Sequence, residues 1–354
     1  MKPIISGVQQ IGVGIPNVYE AWAWYRKNFG IDIPIFDEAA VAGLMLPYTG
    51  GSPQKRHAVL AINIQGGGGL EIWQYDGRVP KAPNFEIQLG DYGIFAAKIK
   101  SKNINASFEF LKKNGANVLN KQLLASPEGK PHFFVKDPYG NIFNIVSADD
   151  WFSSTRNFST GGIYGAIVGV SDMDKSLQFY SRILGFDKVV YDRKEEFDDF
   201  QQLNGGGIEY RRVLLRHTQQ RKGPFSKLLG NAEIELVQLE GRRARPIFEG
   251  RFWGDLGFIH LCFDIQGMNE MRELCEANNH PFTVDSSNSF DMGDAAGHFS
   301  YIEDPDGTLI EFVETHKVPI MKKLNWFLDL RNRNPERQLP TWMIKALAMN
   351  RVKD

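Results

Sequence analysis

The chain has 354 residues, and its 41 Lys and Arg nearly cancel 42 Asp and Glu, so no overall field is available to hold nucleic acid or an anionic membrane. The length suits two cores rather than one. Cys262 and Cys275, the only cysteines, exclude a disulfide scaffold and are not spaced like a zinc motif. No apolar run approaches the ~18 residues of a membrane span, and the first residues lack the charged start and apolar core of a signal peptide. These bounds predict a cytoplasmic protein with no nucleic-acid or membrane partner.

Gln10-Ile11-Gly12-Val13-Gly14-Ile15 reads as a strand running into the turn Pro16-Asn17. A helix is predicted over 21–29, closed by Gly30 as its C-cap. Leu70-Glu71-Ile72-Trp73 is the last strand of this block. A second block starts with a strand over 94–101 and an amphipathic helix over 106–114, with Phe108, Phe110 and Leu111 near helical spacing. It ends in the turn Asp137-Pro138-Tyr139-Gly140 and the strand Ile142-Phe143-Asn144-Ile145. Residues 147–161, rich in Ser, Thr and Asn, read as a linker.

The third block opens with Gly165-Ala166-Ile167-Val168-Gly169-Val170 and closes with Ile234-Glu235-Leu236-Val237. In the fourth, a strand over 260–265 and a helix over 268–278 lead to the turn Asp304-Pro305-Asp306-Gly307 and the strand Ile310-Glu311-Phe312-Val313. The glycine runs 66–69 and 205–207 lie in hairpin regions rather than between a strand and a helix, so they read as turns or bulges, not phosphate cradles. After Glu314 a tail remains, with helical patterns over 321–330 and 342–349.

The blocks are copies of one another. Tyr25 and Gly30 stand 15 and 20 residues after Gln10, and Tyr180 and Gly185 stand 15 and 20 residues after Gly165. Trp24-Tyr25 and Phe29-Gly30-Ile31 match Phe179-Tyr180 and Leu184-Gly185-Phe186. The two Asp-Pro-x-Gly turns feed matching strands, one carrying Asn144 where the other carries Glu311. The unit is β-α-β-β-β, about 70 residues long, and it occurs four times.

This pattern resembles the vicinal oxygen chelate superfamily, which includes glyoxalase I, extradiol dioxygenases, epimerases and the bleomycin- and fosfomycin-resistance proteins. The likeness covers roughly residues 5–315. It rests on Val170-Ser171-Asp172 leading into Ser176-Leu177-Gln178-Phe179-Tyr180 and Leu184-Gly185-Phe186, and on the Asp304 turn leading to Glu311. The resemblance implies an α+β fold of four βαβββ units in two curved mixed sheets, with a helical C-terminal tail. It implies domains at 5–148 and 160–315, followed by the tail at 316–354.

In that superfamily metal ligands come from the start of the first strand and the middle of the last strand of each unit. Carried over, the units offer Gln10 and Glu71, Ile94 and Asn144, Gly165 and Glu235, and His260 and Glu311. Two pairings are open. Neighbouring units would gather Glu235, His260 and Glu311 in one place and Gln10, Glu71 and Asn144 in another. Outer pairing would bring Gln10, Glu71, His260 and Glu311 together, the Gln, Glu, His and Glu set of some glyoxalase I enzymes. Parsimony favours the outer pairing, since every good ligand is then used once.

Two carboxylates and an imidazole aimed into one cavity would repel or desolvate badly without a cation. One nitrogen among oxygens suits a divalent Mn, Fe, Co, Ni or Zn ion. The plainer alternative pairs Glu71, Glu235 and Glu311 with Arg and leaves His260 as a core histidine. Alternation puts Cys262 and Asp264 on the face of His260, Trp73 on that of Glu71, and Gly12 and Gly14 on that of Gln10; Asp264 could support a ligand or act as a base but better fits the surface end of its strand, and Trp73 reads as a pocket wall or as plain core.

Glutathione-using glyoxalases carry an anchoring Arg four residues after the first-strand ligand, and Gly14 stands there. His298 is a candidate substrate contact. The resemblance thus implies a monomeric or homodimeric metal-dependent isomerase, epimerase or glyoxalase-type lyase acting on a small-molecule substrate with two adjacent oxygens through a metal-stabilised enolate, with Glu71 and Glu311 as candidate bases. The alternatives are a sequestering protein without catalysis and a non-haem Fe(II) dioxygenase, which Gly165, at the place of a required His, disfavours.

Overall fold

Polar caps and glycines set the first helix where the sequence places it. In the computed structural model, which describes residues 2–153, 158–287, 290–292, 295–321 and 326–352, strand β1 (Ile4–Gly14) is followed by helix α1 (Val18–Phe29). The Asn17 side chain accepts hydrogen bonds from the Tyr19 and Glu20 amides, and Gly30 ends the helix in the left-handed region at φ 66°. Val18, Ala21, Trp22, Tyr25 and Phe29 form the buried stripe of α1. Strands β2 (Ile33–Ala42), β3 (Gln54–Ile62) and β4 (Gly69–Tyr75) complete the first unit.

The second unit has β5 (Gly93–Ser101), α2 (Ile104–Lys113), the short β6 (Asn117–Val118) and β7 (Leu124–Ala125), then β8 (Pro131–Lys136) and β9 (Ile142–Ser147). The third has β10 (Thr160–Val170), α3 (Met173–Arg182), β11 (Lys188–Glu196), β12 (Glu209–Arg216), the single turn α4 (Ser226–Leu229) and β13 (Glu233–Leu239). The fourth has β14 (Gly257–Gln266), α5 (Met268–Ala277), β15 (Val284–Asp285), β16 (Phe290–Met292), β17 (Ala295–Glu303) and β18 (Leu309–Met321).

The outer units share a sheet, and so do the inner ones. Among the described residues, the first sheet runs β15-β17-β18-β14-β1-β4-β3-β2, with β16 on β17 and a further strand, β19 (Trp326–Asp329), on β18. The second runs β11-β12-β13-β10-β5-β9-β8-β6, with β7 on β8. In both, two first strands lie antiparallel at the centre, and each is parallel to the last strand of its own unit. Neighbouring units meet instead through their helices. The Tyr25 hydroxyl donates to Asp137 at 2.6 Å, and the Tyr180 hydroxyl donates to Asp304 at 3.0 Å. The repeated tyrosines and the repeated Asp-Pro turns are therefore partners. One continuous apolar core joins the helices to the inner faces of both sheets.

The tail departs from the sequence expectation in its first half. Where a helix is expected over 321–330, the described residues are strand: β18 continues to Met321 and β19 pairs back on it, Val318 opposite Leu328, while residues 322–325 lie outside the described residues. Strand pairing with the edge of the sheet overrides the helical spacing of Leu324, Phe327, Leu328 and Leu330. The second half is helical, α6 (Thr341–Ala346). Leu330, Leu339 and Ile344 pack against Ile33, Ile62 and Ile64 at the end of the first sheet. No helix among the described residues is long and apolar enough to cross a membrane.

Candidate metal centre

The register of the first sheet brings together the four residues carried over from the outer units. β1 and β4 place Gly12 beside Glu71, and β14 and β18 place Cys262 beside Glu311. Across the central pair, Gly12 faces His260 and Gln10 faces Cys262. Each unit therefore contributes a carboxylate and, two residues before that carboxylate's neighbour, a second ligating side chain. A register shift between Val8 and Gln10 turns both Gln9 and Gln10 toward one cavity.

The ligating atoms converge. His260 Nε2 lies 3.1 Å from Glu311 Oε2 and 3.3 Å from Glu71 Oε2, and Gln10 Nε2 lies 3.3 and 3.4 Å from the same two oxygens. Ligand atoms at right angles around a cation with bonds of about 2.1 Å stand ~3 Å apart, so this spacing is that of a coordination shell. The donors also lack other employment: neither His260 ring nitrogen makes an aligned hydrogen bond among the described residues, and Gln10 Oε1 has no partner. A cation would draw that orphan oxygen inward by a turn of the amide, which the two carboxylates alone would oppose. The residues fit a divalent metal.

His260 is fully buried. A Cβ on Gly12 would stand 2.4 Å from its Cε1, the Tyr301 ring meets it edge-on at 5.5 Å, and Trp253 stacks at 6.4 Å. Burial alone would lower the imidazole pKa, but Glu311 and Glu71 outweigh it and raise it to about 10. Cys262 is no nucleophile, since burial first, and then Glu311, push its thiol well up. Glu71 and Glu311 open on a cavity of about 280 Å³, walled by Leu60, Ile62, Leu228, Leu229 and Val313 and edged by Leu347 of the tail.

Other sequence-derived candidates fall elsewhere. Trp73 is fully buried against Trp253. His298 faces Asp285 at 2.5 Å, away from the cavity. Asp264, expected at a surface end, is fully buried and lines the cavity. At Gly14, a Cβ would meet the Asp255 carbonyl oxygen at 2.0 Å, so backbone fills the place of the glutathione-anchoring Arg.

The inner units build a different centre. β5 is parallel to β9 with Lys98 beside Asn144, so the residue matching Gln10 and His260 is Ala96, two positions beyond the expected Ile94. Gly165 holds the matching place in β10, where a Cβ would lie 1.7 Å from the Glu233 carbonyl oxygen. Lys98, which the sequence reading did not single out, bonds Glu233 and Glu235 at 2.7 Å each. Arg212 pairs with Glu235 and, at 2.8 Å, with Asp199. Asn144 Nδ2 lies 2.9 Å from His132 Nδ1, and His132 Nε2 lies 3.0 Å from Asp199. The signal for Lys98 was a lysine at an inward position of a buried strand.

Residues 163–312 match the family model described as the Glyoxalase/Bleomycin resistance protein/Dioxygenase superfamily. The chain carries a domain of this superfamily. A lactoylglutathione lyase of Schizosaccharomyces pombe is 26% identical over 165 residues, a match spanning 46% of this chain and only half of that protein. Glyoxalase I from Zea mays is similar in fold, with a TM-score of 0.55 and 13% identity over 87% of this chain and 92% of the other. A candidate dioxygenase from Bacillus subtilis gives a TM-score of 0.59 at 13% identity, over 89% and 86%. The likeness in fold thus extends well beyond the residues that the family model covers.

Proposed function

We propose that the protein is a metal-dependent enzyme of the glyoxalase type, acting on a small substrate that presents two adjacent oxygens. The observation that carries this reading is the convergence of Gln10, Glu71, His260 and Glu311, from the first and fourth units, with Gln10, Glu71 and Glu311 lining one cavity and His260 fully buried against the two carboxylates. These four side chains would hold a divalent Mn, Fe, Co, Ni or Zn ion. When bound, the cation supplies Lewis-acid polarisation of a carbonyl, which acidifies the neighbouring C–H.

His260 is wedged by Gly12, Tyr301 and Trp253, so it serves as a fixed ligand, with Gln10 beside it. Glu71 and Glu311 face the cavity and are the candidate bases. One of them takes the substrate proton on a carboxylate oxygen and returns it to the adjacent carbon or to the opposite face. The products are those of an isomerase, an epimerase or a glyoxalase-type lyase. The backbone filling the space at Gly14 favours a substrate other than a glutathione adduct, in contrast to the substrate in the name of the Schizosaccharomyces pombe relative. A sequestering protein would need no buried carboxylates on its cavity floor.

The test is proton exchange. Metal-loaded protein is incubated with α-hydroxyketones and with the hemithioacetals of methylglyoxal in D2O, and deuterium entering beside the carbonyl is followed by NMR. Exchange that disappears in Glu71→Gln or Glu311→Gln supports the reading. Exchange that survives both, or none with any substrate that binds, contradicts it.

A further inference from the structure

Asp264 stands four residues after His260 on β14 and so on the same face of the strand. It is fully buried, and neither carboxylate oxygen makes an aligned hydrogen bond among the described residues, the Ser6 hydroxyl and the Gln9 side chain being the polar groups that face it. Other buried aspartates in this protein are well served. Asp304 accepts the Asp306 and Thr308 amides and the Tyr180 hydroxyl, and Asp137 accepts the Tyr139 and Asn141 amides and the Tyr25 hydroxyl. A buried carboxyl that holds up no backbone and makes no aligned hydrogen bond is costly to keep. Asp264 also lines the cavity that holds Gln10, Glu71 and Glu311.

The surroundings define what could satisfy it. Across the sheet Asp264 faces Gly7, and the neighbouring Ser6 hydroxyl, also buried and without an aligned hydrogen bond, lies beside the carboxyl together with Gln9. On the other side it sits beside Val313, two residues along from the Cys262–Glu311 pair, a rise of about 7 Å along the strand. Leu229 of α4 packs onto Gly7, where a Cβ would be 2.7 Å from the leucine Cβ. The wall between the two polar ends is apolar, with Leu228, Leu229 and Val313. Burial, reinforced by Glu314, raises the Asp264 carboxyl to about 7 against the opposing pull of Ser6 and Gln9.

We propose that Asp264 is the second anchor of the substrate, receiving a hydroxyl or amine donor carried on a short apolar arm from the two oxygens that face Glu71 and Glu311. The inference rests on the functional reading above and narrows its substrate class to molecules with a chelating head, a short apolar body and a hydrogen-bond-donating end. Asp264 is a binding residue in this account, remote from the reacting carbon.

Three catechols test it on the full-length, zinc-loaded protein by titration calorimetry. 4-Ethylcatechol has the vicinal oxygens and the arm, 4-(2-hydroxyethyl)catechol adds a hydroxyl, and 4-(2-aminoethyl)catechol adds an amine. At least one donor-bearing probe should bind about tenfold or more tighter than 4-ethylcatechol, and which one does so distinguishes hydroxyl from amine. Asp264→Leu should erase that advantage while zinc content and 4-ethylcatechol affinity hold. In the ligand-free protein, Asp264→Asn should raise Tm, as expected for an unpartnered carboxyl kept for binding. Equal affinity for all three catechols, an advantage that survives Asp264→Leu, or a fall in Tm for Asp264→Asn overturns the proposal. If the protein takes up none of Mn, Fe, Co, Ni or Zn, the functional reading itself fails and this inference with it; if it takes up another of these metals but not zinc, the titrations are made with that metal, and metal uptake without discrimination sinks the inference alone.

Discussion

In the sheet of the outer units Gly12 lies beside Glu71 and Cys262 beside Glu311; in the sheet of the inner units Lys98 lies beside Asn144 and Ile167 beside Glu235. The topology is the same, yet the two centres balance buried carboxylates by opposite means. The inner centre carries its cations in the chain. Lys98, Arg212 and Arg216 neutralise Glu233, Glu235 and Asp199, and only about 20 Å³ of space remains there. The outer centre gathers two carboxylates and an imidazole beneath a cavity of about 280 Å³. Its nearest basic side chains are engaged elsewhere, Arg56 with Glu38 and Lys317 over Phe327. A repeat can therefore keep its charge pattern and still change its chemistry, because a lysine in one strand replaces what an exogenous cation supplies in another.

The strongest way to break this comparison is to remove the built-in cation. Lys98→Ala leaves Glu233 and Glu235 buried without that partner and should destabilise the protein by about 3–5 kcal/mol, measured by urea unfolding. A loss under ~1 kcal/mol would mean that Lys98 balances nothing. Next in size is the tail. Ile344, 1% exposed against Ile33 and Ile62, should cost about 2–4 kcal/mol when replaced by alanine. Leu347→Ala, at the cavity edge, should alter ligand affinity with a smaller effect on stability. The reverse pattern would make α6 a cavity cover rather than part of the core.

Gly12→Ala probes the outer centre alone. A methyl group there meets the His260 ring, and the resulting displacement should cost roughly 1–3 kcal/mol and weaken metal binding, while metal-free spectra of the inner sheet stay unchanged. Acid separates the centres more gently. Burial alone would raise the Glu235 pKa, but Arg212 and Lys98 hold it well below the usual carboxylate range. Its stabilisation is complete above the unfolded-state value of about 4.3 and is lost as pH falls below that toward the folded value. Thermal melts between pH 5 and 2 should show a steeper decline for the wild type than for Glu235→Gln. Parallel curves would contradict the assignment.

The fold was legible because its signals are local and repeated. The tyrosine and glycine spacings, the Asp-Pro turns and the alternating last strands each constrain one element, and their recurrence constrains the others. The convergence of Gln10, Glu71, His260 and Glu311 was legible for the same reason, as matching positions of a repeat. Pairing of the units was legible only through parsimony, which favoured the outer pairing that the sheets show, since sheet order depends on contacts between segments some 250 residues apart, such as Gln10 with Cys262. The Ile94 position was misplaced by two residues because an even shift keeps the face of a strand unchanged, so alternation could not detect it. Strand β19 was read as helix because the open edge of β18 had no trace in the local pattern. Asp264 was misjudged because burial at a strand end depends on α4, a turn contributed by another unit.

The central claim is that charge left unbalanced at the outer centre is met by one divalent cation. Metal content of purified protein, by plasma mass spectrometry after loading and gel filtration, tests it most directly. About one equivalent per chain is expected, falling close to zero in His260→Ala and in Glu311→Gln and remaining near one in Glu235→Gln. Full metal content in both outer variants, or loss in Glu235→Gln while Glu71→Gln keeps its metal, would contradict the account.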